Sequence, residues 1–343
     1  MSCAADPVAQ FPLQPSSLEM LESAEFAAYV KRDDLLDPAV GCSKLRLIPA
    51  LERSIAREGC DSLLCLGPAG SSLIAAAAWA CRRWGIPCHA LVQSQVDTPG
   101  ARAAIANGLA QGCRYTPLAP GGSLRTATEH PQRMLAELRA GGLSPRVLPF
   151  GGAEAGLAVG YVQAGRELMG DLQALTPGRS SPSTIYVASA TGRLACGIAI
   201  GIATVVPDRH RRLTVVPVGV SPAAPCTSAA FAAIVGEMLA ACFDAGETLL
   251  RDVDEVLAML HPADGLFGRD YGEPIAEGST GSEIFERASG FALDDTYAGR
   301  AFAALLAREQ SGGAPPVFWL SGRPRTPASS FDETQFTRLL RPR

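Results

Sequence analysis

Histidine and closely spaced cysteine pairs are scarce in this chain of 343 residues. It has four histidines, and none of its ten cysteines forms a C-x-x-C pair. Zinc sites are usually built from closely spaced cysteines and histidines, so the sequence gives little support to a metal centre. We expect most of the thiols to be free, small core residues in a reducing cytoplasm.

Export signals and long apolar runs are missing as well. The N-terminal residues MSCAADPVAQFPLQP contain no basic stretch followed by an apolar run, so no secretory signal is predicted. The longest strongly apolar stretch, residues 194–206, is too short to span a bilayer and is typical of a buried helix. We therefore expect a cytoplasmic protein with no membrane partner.

An excess of positive charge is also absent. The formal net charge is −4 at pH 7, which gives no electrostatic case for a nucleic-acid partner. Arginine-rich pieces such as Arg209, Arg211 and Arg212 are local and lie beside turn residues, which favours a solvated surface. The composition, with 47% hydrophobic and 19% charged residues, is typical of a folded soluble protein.

Helical and strand patterns alternate from about residue 45. Residues 45–57 have apolar side chains at helical spacing and end before Gly59, and residues 62–66 form a short apolar run typical of a buried strand. Further strands are predicted at residues 87–92, 113–116, 184–188 and 213–220. Strands separated by helices favour parallel pairing, so we predict an α/β fold, and the length favours two domains.

A lysine lies at the predicted start of the first helix. Residues 30–44 read VKRDDLLDPAVGCSK, with a turn-like Gly41-Cys42-Ser43 before Lys44. A helix N-terminus favours anions, so it lowers the pKa of a lysine placed there. A surface lysine gains nothing from this placement, whereas a lysine that must be neutral to form an imine does. These residues alone leave both interpretations open.

Two glycine-containing turns lie between a predicted strand and a predicted helix. In SATGRL, residues 189–194, backbone N–H groups and a helix N-terminus meet, which suits a phosphate and also serves simple capping. In LGPAGSS, residues 66–72, Ser71 or Ser72 can cap a helix or hold a substrate carboxylate. Tyr271 and Tyr297 lie in glycine-containing loops, where a tyrosine serves as an apolar cover or as a functional group.

Taken in order, these segments resemble the family of 1-aminocyclopropane-1-carboxylate deaminase and D-cysteine desulfhydrase, which are pyridoxal 5′-phosphate (PLP) enzymes of fold type II. The resemblance covers about residues 30–322. It rests on five motifs that follow the family's order: KRDD with GCSK, GPAGSS, TGRLACG, DYGEPIAEGS and DDTYAGRA. No single motif is decisive, whereas the ordered set is.

The resemblance implies the fold, the cofactor and the site. The implied fold is that of tryptophan synthase β-like enzymes, with two mainly parallel sheets flanked by helices. The large PLP-binding domain is then residues 1–46 and 158–343, and the small inserted domain is residues 47–157. PLP is the implied cofactor, and the implied catalytic residues are Lys44, Ser71, Tyr271 and Tyr297. The implied contacts to PLP come from Lys44, Ser72, Thr191, Gly192, Arg193, Leu194, Ala195, Cys196 and Ser321.

The same resemblance implies a lyase, deaminase or hydrolase of amino-acid metabolism that works as a homodimer on a small amino-acid substrate. The leading interpretation is α,β-elimination through an aminoacrylate, as in D-cysteine desulfhydrase. Deamination of the cyclopropane substrate and a PLP-dependent β-replacement synthase are the alternatives within the same chemistry. A PLP-binding carrier or pseudoenzyme is the alternative from another class.

Several positions depart from the family pattern. The deaminases have Glu after the second tyrosine, against the pyridine nitrogen, where this chain has Ala298. The desulfhydrases have Thr near the C-terminus for that nitrogen, where this chain has Leu320, and Ser321 supplies a hydroxyl if the strand is bulged. A neutral pyridine is a weaker electron sink, which disfavours ring opening and permits β-elimination. Ser72 in place of Asn, and Arg193 in the phosphate loop, favour an altered substrate.

Overall fold

The computed structural model describes most of the chain. The described residues are 13–118, 129–175, 184–205, 213–225, 227–246, 252–263, 266, 268, 271–308, 314–323 and 331–341. The basic residues Arg209, Arg211 and Arg212 lie outside these ranges, as does Asp270 of the first tyrosine motif. Within the described ranges, no helix is both long enough and apolar enough to cross a membrane.

Strands and helices alternate along most of the chain. The strands are β1 (Leu18–Glu22), β2 (Ala27–Arg32), β3 (Ser62–Pro68), β4 (Cys88–Gln93), β5 (Gln95–Val96), β6 (Arg114–Pro117), β7 (Pro145–Leu148), β8 (Thr184–Ser189), β9 (Thr214–Gly219), β10 (Val317–Leu320) and β11 (Leu340–Arg341). The helices are α1 (Ile48–Glu58), α2 (Ser72–Trp84), α3 (Pro99–Ala110), α4 (Glu129–Ala140), α5 (Val159–Leu175), α6 (Arg193–Val205), α7 (Ser228–Asp244), α8 (Val253–Leu257), α9 (Ala276–Ser289), α10 (Ala298–Arg308) and α11 (Glu333–Thr337).

Two larger sheets and the two-stranded pair of β5 and β11 organise the described strands. The larger has the order β1-β2-β10-β8-β9, in which only the β1–β2 pair is antiparallel. The smaller has the order β6-β4-β3-β7, and all its pairs are parallel. Parallel neighbours need a crossover connection, and helices between the strands provide it. The predicted α/β fold with mainly parallel sheets is therefore confirmed.

Helices cover both faces of the larger sheet. On one face, Phe285 of α9 and Phe302 of α10 pack edge-to-face with Phe318 of β10. On the other face, α5 and α6 approach each other closely, because a Cβ built on Gly201 would lie 2.1 Å from the carbonyl oxygen of Val162. Burial on both faces explains why β8, β9 and β10 are nearly continuous apolar runs.

The C-terminal segment pairs with β5, which follows β4 of the smaller sheet in the chain. β11 pairs in parallel with β5, which places Leu340 opposite Gln95. Phe336 and Leu340 are buried in the main apolar core. Arg102 of α3 forms an ion pair with Glu333 of α11. The tail therefore holds the segment that carries Gln95.

The boundaries differ from prediction in one instructive place. The helix predicted at residues 45–57 is a 3₁₀ turn, Ser43–Leu47, followed by α1 from Ile48. Pro49 lies in the first turn of α1, where a missing N–H costs nothing, and this explains the α-helical start at Ile48. The division into domains at residues 47–157 stays a prediction, and the strands of the smaller sheet fall inside that range.

Candidate active site

A cleft opens where the carboxyl ends of several parallel strands meet. It is lined by Gly70 beyond β3, Gln95 beyond β4, Ser189 at the end of β8 and Ser321 beyond β10. Its empty volume, including the solvent-facing part, is about 950 Å³. Open α/β sheets bind their ligands at this edge, so the cleft is the candidate active site.

Most of the residues predicted for the site line this cleft. The lining includes eight of the twelve: Lys44, Ser72, Thr191, Gly192, Leu194, Tyr271, Tyr297 and Ser321. The other four are not among the lining residues: Ser71, Arg193, Ala195 and Cys196. The fold thus gathers segments that are more than two hundred residues apart in the sequence.

Lys44 lies partly buried in the cleft. Its Nζ donates a hydrogen bond to the carbonyl oxygen of Gly151 at 3.2 Å and lies 5.9 Å from the centre of the Tyr161 ring. Burial disfavours the charged ammonium and lowers the pKa of Lys44 to about 8. Burial is the largest cause of this lowered pKa, and Lys44 lies in the 3₁₀ turn before α1 and not in the first turn of the α-helix itself.

The lysines of this chain have very different surroundings. The chain contains two lysines, Lys31 and Lys44. The Nζ of Lys31 is fully buried and bound to Asp171 Oδ2 at 2.6 Å, to the carbonyl oxygen of Ser16 at 2.6 Å, and to Glu167. An amine held in that way cannot act as a nucleophile. Lysine scarcity is a signal in the sequence that the motif analysis did not use.

A buried polar network supports the turn that carries Lys44. Asp33 is fully buried, and its carboxylate accepts hydrogen bonds from Arg46 at 2.6 and 3.0 Å and from Ser43 Oγ at 2.6 Å. It also accepts from Trp319 Nε1 at 3.0 Å and from Ser16 Oγ at 2.8 Å. Because Ser43 and Arg46 flank Lys44 in one 3₁₀ turn, this network fixes the backbone on which the lysine stands.

The turn between β8 and α6 has the geometry of an anion site. Gly192 has a φ of +77°, and a Cβ there would lie 2.8 Å from Ile234 Cδ1, so only glycine fits. α6 begins at Arg193, and the first N–H groups of a helix have no acceptor within it. The hydroxyl of Ser189 is buried and has no hydrogen-bond partner among the described residues. These donors converge on one end of the cleft.

Three residues expected at the phosphate fit it less well. The side chain of Arg193 forms an ion pair with Glu237 at 2.7 Å instead of lining the cleft. The N–H of Cys196 already donates to the carbonyl oxygen of Gly192 at 3.0 Å, which is a bond within the helix. Cys196 is therefore not supported as a phosphate contact. Arg193 and Ala195 can contribute through backbone N–H groups alone, and that stays a prediction.

The two serines of the turn at residues 66–72 have different surroundings. Ser71 is the N-cap of α2, and its Oγ accepts a hydrogen bond from the N–H of Leu73 at 3.3 Å. Ser72 is the residue of this pair that lines the cleft. The capping role considered for Ser71 is thus present, and its contact with a substrate carboxylate stays a prediction.

Two tyrosines form a hydrogen-bonded pair in the cleft. The hydroxyl oxygens of Tyr271 and Tyr297 are 2.6 Å apart, and the rings meet edge-to-face. Burial raises the pKa of Tyr297 to about 12 and that of Tyr271 well above its ordinary value. Asp294 orders this loop, because its carboxylate accepts the N–H groups of three following residues at 2.7 to 3.0 Å. The pair stays protonated at neutral pH and can donate a proton.

The end of β10 shows which residue near the C-terminus meets the cleft. Ser321 lines it, and the carbonyl oxygen of Ser321 accepts the N–H of Ser43 at 2.7 Å. Leu320 and Ala298 are fully buried in the apolar cluster on the other face of the larger sheet. Neither of these two is among the lining residues. Strand alternation therefore presents Ser321 to the cleft and turns Leu320 away.

Comparison with known proteins assigns the chain to a family. The profile of a family described as pyridoxal-phosphate dependent enzyme matches residues 8–322. The chain belongs to this family. A D-cysteine desulfhydrase of Yersinia pestis (strain Pestoides F) is 30% identical to this PLP-dependent enzyme over 320 residues, covering 84% of this chain and 87% of the relative. Nocardicin C-9′ epimerase of Nocardia uniformis subsp. tsuyamanensis is 30% identical over 315 residues, covering 88% of each.

Solved structures share the fold of this PLP-dependent enzyme. The crystal structure of an ACC deaminase homologue superposes with a TM-score of 0.72 at 20% identity, covering 92% of this chain and 91% of that chain. A fungal L-serine ammonia-lyase from Rhizomucor miehei superposes with a TM-score of 0.58 at 15% identity, covering 95% and 97%. The predicted family, cofactor and PLP-dependent lyase class are confirmed, whereas the hydrolase class has no support from these relatives.

The residues of the cleft fit PLP. A phosphate requires several converging donors, and the orphaned hydroxyl of Ser189, the backbone at Gly192 and the start of α6 supply them. An aldehyde requires an amine that is partly neutral, and Lys44 has one. Tyr161 adds a second buried hydroxyl without a partner among the described residues, and it also lines the cleft.

Several polar residues of the cleft of this PLP-dependent enzyme were not predicted as site residues, although Ser189 and Thr296 lie within two of the motifs. Ser189, Gln95, Asn107, Tyr161 and Thr296 all line it. Ser189 and Gln95 follow or end strands of a parallel sheet, so their place at the carboxyl edge could have been read from the strand pattern. Tyr161, Asn107 and Thr296 lie on or beside helices, where nothing in the local sequence separates a cleft residue from a core residue.

Proposed function

We propose that this PLP-dependent lyase catalyses α,β-elimination on a small amino acid and releases ammonia. The proposal rests on one observation: an amine and a pair of protonated hydroxyls share one cleft. Lys44 is the one lysine of the chain that is not held in a buried ion pair, and it shares the cleft with the protonated Tyr271–Tyr297 pair. The relatives named D-cysteine desulfhydrase support this type of reaction.

Each group of lining residues has a part in holding the cofactor. Lys44 binds PLP covalently through Nζ. Thr191, Gly192 and Leu194 hold the phosphate with backbone N–H groups, and the Ser189 hydroxyl is a further donor. Ser72 would contact the ring, and the hydroxyl of Ser321 would serve the ring nitrogen. These contacts are mostly those implied by the family resemblance, with Ser189 added, Cys196 removed, and Arg193 and Ala195 limited to their backbone N–H groups.

The chain's own residues then move two protons. PLP, when bound, supplies an electron sink for the bond that breaks at the substrate's α-carbon. Lys44, with a pKa of about 8, is neutral often enough to take the α-proton. Burial keeps the hydroxyls of Tyr271 and Tyr297 protonated, so the pair donates a proton to the leaving group as it departs with its bonding electrons.

The residue at the ring nitrogen favours elimination over ring opening. Ser321 offers a neutral hydroxyl, and Ala298 offers no side-chain donor and lies in the core. A hydroxyl leaves the pyridine nitrogen neutral, which makes a weaker electron sink. Elimination tolerates this because the leaving group carries the electrons away, whereas opening of a cyclopropane ring depends more on the sink.

Reconstitution with PLP tests the central assignment. The wild-type protein should develop an absorbance band at about 410–430 nm. Borohydride reduction followed by peptide mapping should place the label on Lys44, and Lys44→Ala should lose both the band and the label. Because the chain has only one other lysine, Lys31, a label there would contradict the assignment outright.

Product analysis separates the possible reactions. Pyruvate and ammonia from D-cysteine, without turnover of the cyclopropane amino acid, would support elimination. Turnover of the cyclopropane substrate would favour the deaminase, and incorporation of an added nucleophile would favour a β-replacement synthase. Bound PLP without turnover of any D- or L-amino acid would favour a carrier or pseudoenzyme and reject the proposed lyase reaction.

We also propose that the enzyme is a cytoplasmic homodimer. The family resemblance supports the dimer, and the eight described cysteines, which are all free thiols, fit a reducing compartment. Light scattering on the purified holoenzyme should give twice the mass of one chain. A single-chain mass at micromolar concentration would reject the dimer.

A further inference from the structure

Gln95 is a buried polar residue of the cleft to which the resemblance gives no role. It lies on β5, its backbone pairs with the C-terminal strand at Leu340, and its side chain is only 4% exposed. The side chain lines the cleft beside the loops that carry Gly70 and Tyr271. The C-terminal segment thus holds a carboxamide at the wall of the cleft.

One hydrogen bond sets the orientation of the carboxamide. The Oε1 of Gln95 accepts the backbone N–H of Gly70 at 2.9 Å. Only the oxygen of a carboxamide can accept, so this contact decides which atom is oxygen and which is nitrogen. The Nε2 group lies close to two glycines, 2.9 Å from a Cβ built on Gly70 and 3.4 Å from one built on Gly272. Side chains at these glycines would crowd the amide.

The donors of Nε2 are available to a ligand. Among the residues that the structure describes, none accepts a hydrogen bond from Gln95 Nε2, although the side chain is almost fully buried. A carboxamide nitrogen has two donors, and a ligand that displaces water from the cleft leaves them unpaired at a cost unless it accepts a hydrogen bond from them. The hydroxyl of Thr296 lies 3.9 Å from a Cβ built on Gly272 and also lines the cleft. A second neutral polar group is therefore close to the same point.

We propose that Gln95 is a specificity-determining residue whose Nε2 donates a hydrogen bond to a carboxylate or carbonyl oxygen of the amino-acid substrate. The proposal rests on the proposed function, since it assumes that an amino acid enters this cleft. Two oxygens of the substrate have the required chemistry, namely the α-carboxylate and an oxygen in the side chain. The charged lining residues are Lys44 and Asp294, so a neutral donor such as Gln95 binds the oxygen without adding a charge beside the reacting amine.

Gln95→Glu is the most informative variant because it removes the donor of the side chain and keeps an acceptor. It keeps an oxygen for the N–H of Gly70 and replaces the donor by a charged acceptor. Gln173→Glu makes the same chemical change on an exposed position of α5 and is the matched control. Gln95→Met, which removes both the acceptor and the donor, is the second variant if the glutamate does not fold.

Binding of amino acids without a leaving group gives a readout that does not depend on turnover. The holoenzymes are titrated with alanine and with aspartate, and the change in the cofactor's absorbance band gives Kd for each. In Gln95→Glu, or in Gln95→Met, Kd should rise about 10- to 100-fold, as expected for loss of a hydrogen bond to a charged group. An equal rise for both ligands identifies the α-carboxylate, and a rise for aspartate alone identifies a side-chain oxygen.

The outcomes separate this inference from the proposed function. In the first outcome, the wild type forms the band and responds to amino acids, but Kd changes less than twofold in the Gln95 variant. This result rejects the role of Gln95 and leaves the proposed function intact. Wild type that shows no response to any amino acid rejects the proposed function and the role of Gln95 with it. Equal weakening in Gln173→Glu would show that the effect is one of net charge, and would also reject the proposal.

Discussion

Replacing Asp33 by alanine should destabilise the protein strongly. Its carboxylate accepts five hydrogen bonds and forms a salt bridge to Arg46 at 2.6 Å, with Asp33 fully buried and Arg46 4% exposed. Burial by itself would raise the pKa of Asp33, but the Arg46 guanidinium and the hydrogen bonds outweigh it, and the pKa is lowered. The interaction is therefore stronger than the cost of burying this carboxylate in charged form.

The magnitude follows from what the substitution leaves behind. Arg46 keeps its contact with Glu167 at 2.9 Å but loses its fully buried partner. Breaking a buried ion pair from one side costs about 3–5 kcal/mol. The donors of Ser43 and Trp319 also lose their acceptor, and since the network acts as a unit their losses are included in that figure. A protein with 5–15 kcal/mol of stability would lose a large part of it.

Urea unfolding measures this effect. The free energy of unfolding of Asp33→Ala should fall by about 3–5 kcal/mol relative to wild type. Glu25→Ala is the control, because it breaks an exposed ion pair with Arg287 at 2.7 Å and should cost no more than about 1 kcal/mol. A lowered pKa contributes stability that is present above about pH 3.9 and lost as the pH falls through the folded value. The difference should therefore shrink in acid. A loss below about 1 kcal/mol at neutral pH would refute the reasoning.

Two further predictions concern the cleft. The rate at which the protein binds PLP should rise with pH, with a midpoint near pH 8, because burial lowers the pKa of Lys44 and only the neutral amine reacts. Stopped-flow absorbance measures this rate at each pH. A midpoint near pH 10.5 would contradict the prediction. Tyr271→Phe should lower kcat for elimination by about 10²–10⁴ with little change in KM, since it removes a proton donor. Tyr115→Phe, outside the cleft lining, is its control, and equal losses in both variants would argue against a role in proton transfer.

The tertiary structure corrected the sequence argument at individual residues. Cys196 and Arg193 matched motif positions, yet the N–H of Cys196 already bonds within α6 and the side chain of Arg193 pairs with Glu237. Leu320 and Ser321 are neighbours in the chain, and only the side-to-side alternation of a strand decides which of them meets the cleft. Motif spacing cannot supply this, because it carries no information about which donors are already satisfied.

The sequence by itself determined the fold class and, through the family resemblance, the cofactor, and it predicted the lysine. Periodic apolar segments separated by turns specify parallel strands with helices between them, and the ordered motifs around Lys44, Gly192 and Tyr297 predict a PLP site through their resemblance to the family. These conclusions depend on local patterns and on their order along the chain, both of which are visible without coordinates.

Only the tertiary structure decided the pKa of Lys44 and the residues that surround it. Burial, which depends on segments far apart in sequence, lowers its pKa, and a network through Asp33 and Trp319 fixes its turn. The position of Gln95 in the cleft also depends on distant segments, since β11 at the C-terminus pairs with the strand that carries it. Burial and hydrogen-bond satisfaction are properties of the assembled chain, so the lysine could be located from the sequence and its chemistry could not.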